Sequence, residues 1–415
     1  MSESLLESYR VLDLTDEKGF LCGRILGDMG ADVIKIEPPG GDSSRNRGPF
    51  YHDIPDPNKS LYWFAYNANK KGITLNIETK DGQQIFKSLV KHADFVIESF
   101  SPGYLESLGL GYEDLSQINP GLILTSITPF GQTGPYSHYK ASDIVSMAMG
   151  GLMYLSGDPD RPPVRVSFPQ SYLQGAAAAA AGTMTAFYYR QISGEGQQVD
   201  VSIQEAVIRA TLQPRMFWDV AGRIVERAGQ YRTALSALST QRVVWQCKDG
   251  WINFPIFGGV AGARTNRALA QWMESEGVSD KFLLTKDWEA FDMATATEAE
   301  IRDIEGRLVK FFMSHTKTEL LEGSLNKRIM LYPVFTVEDI VTCAQLKGRE
   351  FWEEVEHPEL ATSIIYPGAF IKMSQTPCQI RKRPPIIGEH NDEVYRGEFG
   401  FSKGEIAALK QGGVV

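Results

Sequence analysis

The first pattern along the chain is an apolar run, a helical run and a second apolar run, and it predicts one β-α-β unit. Val11 to Leu14 is apolar without a helical period, and Asp32 to Ile36 is rich in β-branched residues, as in buried strands. Between them, Gly19 to Met29 has a helical period, with glycines spaced four residues apart on one face. Such a unit is typical of a parallel sheet covered by helices.

The same alternation of strands and helices continues through the first half of the chain. Ala93 to Ile97 and Leu122 to Ile127 have the pattern of strands, and Asp81 to Lys91 has that of a helix. The resulting fold class is α/β, with a Rossmann-like large domain over residues 1–219. The GxGxxG order of a nicotinamide fingerprint is missing from the first helix, so a dehydrogenase is not indicated.

The pattern changes in residues 220–334, which we interpret as a smaller α+β domain with linkers. This segment contains a Gly/Ala-rich loop at Gly258 to Gly262 and charged helices around Glu298 to Thr316. Residues 335–415 are expected to return to the large domain and to end in a helix at Lys403 to Gln411. Two consecutive domains without a return remain the alternative.

Composition limits the classes of function. A chain of 415 residues with 43% hydrophobic and 22% charged residues is long enough for two domains with a buried core. Its net charge of −9 argues against nucleic-acid or anionic-membrane partners. The sequence shows no signal peptide and no long apolar segment, so a cytoplasmic location is expected. Four scattered cysteines and six histidines without ligand spacing predict neither disulfides nor a metal site.

Five segments in a fixed order carry a resemblance to a known family. They are VLDLTDEKGFLCGRILGDMGADVIKIEPPGGDSSR at 11–45, ETKDG at 78–82, ESFSPGYLESLGLGYEDLSQINPGLILTSITPFGQTGPY at 98–136, SGEGQQVDVSIQEA at 193–206 and IIGEHNDEV at 386–394. On these residues the chain resembles the class III CoA-transferases, which include carnitine CoA-transferases, formyl-CoA:oxalate CoA-transferases and α-methylacyl-CoA racemases. The resemblance implies a ring-shaped chain that interlocks with a second chain as a dimer.

The resemblance also locates the catalytic carboxylate of the transferases. In them an aspartate lies four residues before a glycine that opens an alanine-rich helix, and it forms first a mixed anhydride and then an enzyme-bound CoA thioester. Here that helix spans Gly175 to Tyr189, and the position holds Ser171, between Gln170 and Tyr172. No Asp or Glu occurs from Arg161 to Ile192. A serine would form an oxygen ester, from which return of the acyl group to a thiolate is uphill, so the sequence predicts that the nucleophile is lost.

The proton-transfer pair of the racemases is missing as well. By resemblance, its histidine falls at Ser142 and its aspartate at Ser171, and only the neighbouring Asp143 is retained. A single carboxylate does not suffice, because racemisation takes one base on each face of the carbon. The sequence therefore contains neither complete set of catalytic residues.

Several CoA contacts of the transferases are also replaced. At these positions this chain has Pro38, Glu78, Ser99 and Ser107. The candidate residues for cofactor binding are three that persist and three neighbouring lysines, namely Leu75, Phe100, Lys140, Lys18, Lys70 and Lys71. The alternative is that the lysines are solvated and that Phe100 belongs to the core.

Two functions remain open. The first is a subunit without a nucleophile that pairs with an Asp-bearing paralogue in an interlocked heterodimer or heterotetramer. By resemblance, such a pair moves CoA from a donor such as succinyl-CoA to a carboxylic acid, in particular (R)-2-benzylsuccinate in anaerobic toluene degradation. No tightly bound cofactor is expected, and the CoA thioester is a substrate held mainly by the partner subunit. The second is a self-sufficient homodimeric acyl-CoA transferase or isomerase with non-standard catalytic residues, such as Asp143.

Overall fold

The chain folds into two compact units in the computed structural model. The described residues are 4–233 and 239–415. The first unit takes the described residues up to 153, with 165–222 and 348–415, and the second takes those of 154–164 and 223–347. The chain therefore leaves the first unit twice, whereas the sequence placed its two transitions after residues 219 and 334.

Strands and short helices alternate through most of the described chain. The strands are β1 (Arg10–Asp13), β2 (Asp32–Glu37), β3 (Lys70–Thr74), β4 (Phe95–Glu98), β5 (Ile123–Thr128), β6 (Gln198–Ser202), β7 (Tyr231–Thr233), β8 (Thr240–Arg242), β9 (Val244–Cys247), β10 (Gly250–Asn253), β11 (Tyr332–Val334), β12 (Trp352–His357) and β13 (Thr362–Pro367). The helices are α1 (Phe20–Asp28), α2 (Leu61–Asn67), α3 (Lys80–Val90), α4 (Tyr104–Ser107), α5 (Tyr112–Ile118), α6 (Asp143–Met149), α7 (Ser171–Ser193), α8 (Ile203–Arg209), α9 (Leu212–Ala221), α10 (Gly259–Ser275), α11 (Lys281–Thr285), α12 (Glu298–Ser314), α13 (Lys317–Lys327), α14 (Val337–Thr342), α15 (Ala344–Gly348) and α16 (Lys403–Gln411).

The first six strands form one parallel sheet in the order β3-β2-β1-β4-β5-β6. This is the strand order of a doubly wound nucleotide-binding fold, so the predicted α/β, Rossmann-like class is confirmed. The order reverses between β1 and β4. The loops that leave the carboxyl ends of these two strands diverge, and a ligand crevice is expected between them.

Helix α1 packs close to the sheet because its glycines leave room. A Cβ built on Gly23 would lie 2.3 Å from Asp13 Oδ2, and one on Gly27 would lie 3.0 Å from the carbonyl oxygen of Asn69. The same helix contacts α7, where alanines such as Ala179 are fully buried. The glycine spacing thus serves helix packing rather than the close approach of a phosphate.

A cluster of buried charges, the floor cluster (Asp13, Lys35 and Lys70), joins β1, β2 and β3. Lys70 Nζ lies 2.8 Å from Asp13 Oδ2 and Lys35 Nζ 3.5 Å from Asp13 Oδ1, and each side chain is at most 1% exposed. Burial alone would raise the pKa of Asp13, but the two ammonium groups bring it below its ordinary value. Lys70 also donates to Asn67 Oδ1 at 3.0 Å. It is a structural counter-ion with no exposed surface, in place of the cofactor contact that the sequence suggested.

The second unit contains an antiparallel sheet in the order β11-β10-β9. The prediction of a loop at Gly258 to Gly262 is wrong, because α10 begins at Gly259. A Cβ on Gly258 would lie 2.3 Å from the carbonyl oxygen of Phe291, so this glycine is required by packing at the start of the helix. β11 pairs with β10 up to Val334, and the second unit extends to residue 347.

Candidate active site at the carboxyl edge of the sheet

A pocket of about 750 Å³, the edge pocket, opens at the carboxyl ends of β1 to β4. Leu14 follows β1, Pro38 follows β2, Leu75 follows β3 and Ser99 follows β4, and all four line the pocket. The pocket therefore occupies the crevice at which the strand order reverses. Of the positions where CoA contacts are replaced, Ser107 alone lies outside the lining, in α4.

An aromatic pair forms one side of the edge pocket. The rings of Phe100 and Tyr104 lie 4.7 Å apart between centroids and are tilted by 36°. Burial and a 2.9 Å hydrogen bond from the phenol to Glu78 Oε1 raise the pKa of Tyr104 to about 12, so the phenol stays protonated. The candidates Leu75 and Phe100 thus meet in one cavity, and both also pack against the hydrophobic core of the first unit.

The charged side chains that line the edge pocket are acidic. They are Asp16, Glu37, Asp42 and Glu78. Arg45 neutralises Glu37 through two hydrogen bonds of 2.6 and 2.7 Å in a buried pair, and Lys18 pairs with Asp16. The pocket has the shape of a ligand site but not the charge of a phosphate site.

A further carboxyl group, Glu98, ends β4 and is 4% exposed. Its Oε2 accepts the backbone N–H of Phe100 at 2.7 Å. Burial raises its pKa to about 7, against the smaller lowering effect of hydrogen bonds from Ser126 and Phe100. Glu98 therefore fixes the backbone of a pocket-lining residue and changes its charge near neutral pH.

The family's nucleophile position lies at the first residue of α7. Ser171 is fully buried, and its Oγ donates to Asp143 Oδ1 at 2.8 Å. The same carboxylate oxygen accepts the backbone N–H groups of Gln170 and Ser171, each at 2.9 Å. Asp143 begins α6 and is 8% exposed. Its carboxylate thus caps α7, where a negative charge is favourable beside the helix dipole.

This closed pair is poorly suited to acyl transfer. Within the described chain, no histidine hydrogen bonds to Ser171 or Asp143, and a carboxylate is too weak a base to generate an alkoxide. Three donors already engage Asp143 Oδ1, which lowers its reactivity as a nucleophile. The geometry fits a structural cap better than a catalytic dyad.

Tyr172 and Ser142, the neighbours of the Ser171–Asp143 pair, have structural roles. Tyr172 is 6% exposed, and burial together with the nearby carboxylates of Asp16 and Asp143 raises the pKa of its phenol. Ser142, the other racemase position, is the N-cap residue of α6. Neither side chain supplies a base for proton transfer.

The structure does not bring the sequence-predicted lysines into the edge pocket. Lys18 lies beside it, paired with Asp16. Lys71 Nζ lies 3.0 Å from both Asp32 Oδ1 and Glu393 Oε1 and is held by these carboxylates. Lys140 is exposed in the loop before α6. These positions do not compensate for missing phosphate contacts.

Sequence reasoning missed the charges that line the pocket after β1 and β2. Asp42 lies in the Pro/Gly/Asp loop that follows β2, and Asp16 lies three residues after β1. The signal was their position, because polar residues just after the carboxyl ends of parallel strands meet in the crevice.

Two kinds of site are missing from the part of the chain that the structure describes. It contains no group of three or more His, Cys, Asp or Glu side chains arranged to hold a metal ion. None of its helices combines the length and apolar character needed to cross a membrane.

Comparisons with known proteins point in one direction. The model of CoA-transferase family III matches residues 6–391. The chain is 36% identical over 413 residues to succinyl-CoA:(R)-benzylsuccinate CoA-transferase subunit BbsE of Thauera aromatica, covering 98% of this chain and 97% of the relative. It is 31% identical over 408 residues to succinyl-CoA–D-citramalate CoA-transferase of Chloroflexus aurantiacus, covering 98% and 96%. A solved CAIB/BAIF family protein from Brucella suis superposes with a TM-score of 0.82 at 25% identity, covering 96% of this chain and 100% of that structure.

Proposed function

The chain belongs to CoA-transferase family III, and from that premise we propose that it is the subunit of a CoA-transferase that lacks the nucleophile. In this proposal it interlocks with an Asp-bearing paralogue, the sister chain, as a heterodimer or heterotetramer in the cytoplasm. The pair moves CoA from succinyl-CoA to a carboxylic acid, namely (R)-2-benzylsuccinate in anaerobic toluene degradation. The CoA thioester is a substrate rather than a resident cofactor, and this chain alone is inactive.

The observation that carries the proposal is the closed pair of Ser171 and Asp143 at the start of α7. The hydroxyl that replaces the aspartate is fully buried and donates to a carboxylate that caps the helix. An acyl group on this hydroxyl would be an oxygen ester, which does not conserve the acyl activation of a thioester. The chain therefore keeps the fold around the site without a group that performs the first step.

The sister's aspartate supplies the missing chemistry. It attacks the thioester carbonyl of the donor and releases the CoA thiolate, which leaves a mixed anhydride. The thiolate then attacks the aspartyl carbonyl, so that succinate leaves and an aspartyl-CoA thioester remains. The acceptor carboxylate reacts with this thioester by the reverse sequence, and the aspartate is regenerated.

An exposed apolar helix supports the need for a second chain. α9 buries none of its side chains. Four of its apolar residues are 56 to 82% exposed, namely Leu212, Met216, Trp218 and Val220. A ten-residue helix gains most of its stability from packing, and an apolar face of this kind is typical of a surface that another chain covers.

The names of the relatives support the choice of substrates. Both curated relatives described above are named as transferases that use succinyl-CoA. The relative that is 36% identical is named as a subunit of an enzyme for (R)-benzylsuccinate. A chain without its own nucleophile fits the role of one subunit among two.

Co-expression tests the proposal. The chain is expressed alone and together with an Asp-bearing paralogue from the same genome, and CoA transfer from succinyl-CoA to (R)-2-benzylsuccinate is measured by chromatography. The pair is expected to be active and the chain alone inactive. A pair whose sister carries alanine at its nucleophile controls for activity from this chain, and it is expected to be as inactive as the chain alone.

Steady transfer by the chain purified without a sister would overturn the proposal. Activity of the pair with other acids but not with (R)-2-benzylsuccinate would reject only the named acceptor. Separate migration of the two chains on size exclusion after co-expression would reject the partnership itself.

A further inference from the structure

The edge pocket has an apolar side that fits the base of a nucleotide, but its carboxylates oppose the phosphates of one. Its apolar side is built from Leu75, Ile77 and the Phe100–Tyr104 pair. Among its described lining residues there is no Lys, Arg or His. Charge at the pocket surface is therefore set by carboxylates.

Two of those carboxylates have no cationic partner. Asp42 Oδ1 accepts the backbone N–H of Ser44 at 2.8 Å, and Glu78 Oε1 accepts the phenol of Tyr104 at 2.9 Å. Neither forms a salt bridge with any residue in the described ranges. In the described ranges both carboxyl groups therefore face the pocket without a cationic partner, in contrast to Glu37, which a buried arginine neutralises.

Three backbone amides at or beside the pocket are engaged by the chain's own side chains. The N–H of Asp42 donates to Glu37 Oε2 at 2.8 Å, and that of Ser44 donates to Asp42. The N–H of Phe100 donates to the buried carboxyl of Glu98 at 2.7 Å. Main-chain amides that hold phosphates in other folds are thus engaged by the chain's own acidic side chains.

Four lysines near the first strands are held by other carboxylates of the described chain and do not offset the charge of the pocket. Lys70 and Lys35 are buried with Asp13, and Lys71 is held by Asp32 and Glu393. Lys18 is engaged by Asp16. A ligand phosphate entering the pocket would meet two carboxylates without a counter-ion, and no cationic side chain is among the described lining residues to bind it.

We infer that the edge pocket admits uncharged or cationic groups and excludes the phosphates of CoA, so that each pair of chains holds a single CoA thioester, in the sister. This inference rests on the proposed function, because it assigns the only CoA site of the pair to the chain that carries the nucleophile. Glu78 and Asp42 are the residues that set this selectivity.

Titration calorimetry of CoA into the purified pair tests the stoichiometry. One CoA per pair is expected, and the chain prepared alone is expected to show no saturable binding up to about 1 mM. Two CoA per pair would overturn the inference while leaving the dependence of activity on the sister intact. Turnover by this chain alone would overturn the proposed function instead, so the two failures are distinguishable.

A charge reversal tests the residue assignment in the chain prepared alone. Glu78→Lys places a cation at the exposed rim of the pocket and is expected to tighten CoA binding by roughly tenfold or more. Glu354→Lys makes the same charge change at an exposed position of β12, outside the pocket lining, and is expected to leave binding unchanged.

A series of ligands with increasing charge completes the test. For the wild-type chain, affinity is expected to fall or to stay undetectable from adenosine to AMP to ADP. Affinity that rises with each phosphate, or equal CoA binding by the two lysine variants, would contradict the assignment of phosphate exclusion to Glu78.

Discussion

The floor cluster and the edge pocket differ in whether their carboxylates have cationic partners, although Asp13 of the floor cluster and Leu14 of the pocket are adjacent in sequence at the end of β1. In the floor cluster the buried Asp13 carboxylate has two ammonium partners. At the pocket, Asp42 and Glu78 have no cationic partner among the described residues, and at the start of α7, outside the pocket lining, Ser171 is closed off by its hydrogen bond to Asp143. The interactions that hold the sheet are intact, whereas those that would hold a polyanion and attack a thioester are missing. Under the proposed function, a chain with this combination contributes its fold to the pair.

Removing the charge of Asp13 is expected to give the largest effect on stability. Asp13→Asn leaves two buried ammonium groups without a counter-ion, and breaking a buried pair in this way costs roughly 3–5 kcal/mol of unfolding free energy. Urea denaturation followed by circular dichroism measures the loss.

Asp16→Asn is the matched control at the pocket. Its side chain is 41% exposed and paired with Lys18, so its loss is expected to cost less than about 1 kcal/mol. Similar losses for the two variants would show that the floor cluster and the pocket do not differ as described.

The pH dependence of stability sharpens the comparison, because Asp13 and Glu98 shift in opposite directions. The pKa of Glu98 rises from 4.5 to about 7 on folding. Its contribution to the stability of the fold is therefore fully present below about pH 4.5 and is lost as the pH rises through about 7. The pKa of Asp13 is lowered from 3.8, so its contribution is present above that value and is lost on acidification.

Glu98→Gln removes the ionisation of Glu98 and keeps its shape. It is expected to stabilise the protein at pH 8, by up to about 3 kcal/mol, and to have little effect at pH 5. Melting temperatures of wild type and variant across this range provide the measurement. A stability gain that is the same at pH 5 and pH 8 would show that Glu98 does not titrate between them.

The smallest effect is expected at Ser171. Ser171→Ala removes one of three hydrogen bonds to Asp143 Oδ1 and is expected to cost about 1 kcal/mol of stability. CoA transfer by the pair is expected to be unchanged in a steady-state assay, since this hydroxyl takes no part in the chemistry. A tenfold loss of kcat in a variant that still forms the pair would make Ser171 a catalytic residue.

Much of the fold could be predicted from the sequence because it depends on local patterns. The apolar run at Val11 to Leu14 became β1 (Arg10–Asp13), and the helix expected at Asp81 to Lys91 became α3 (Lys80–Val90). The last helix has the expected bounds, with Gly412 as its C-cap. The period of apolar residues that marks a strand or a helix can be read from a short stretch of sequence. The bounds of these elements were therefore predicted to within a few residues.

The failures concern contacts that no short window contains. Lys70 was a candidate for cofactor binding, with a solvated side chain as the alternative, but it is buried against Asp13, which lies 57 residues away in sequence. The Ser171–Asp143 pair joins residues 28 positions apart. The glycine-rich segment at the start of α10 looked like a loop, yet Gly258 is required there by the backbone of Phe291, which is distant in sequence.

Intact-mass spectrometry of both chains is the most direct test of the pairing proposal. The purified pair is incubated with succinyl-CoA, quenched rapidly, and the mass of each chain is measured. A covalent CoA adduct is expected on the sister and none on this chain. An adduct on this chain, mapped to a peptide that contains Ser171 or Asp143, would contradict the conclusion that it has no nucleophile.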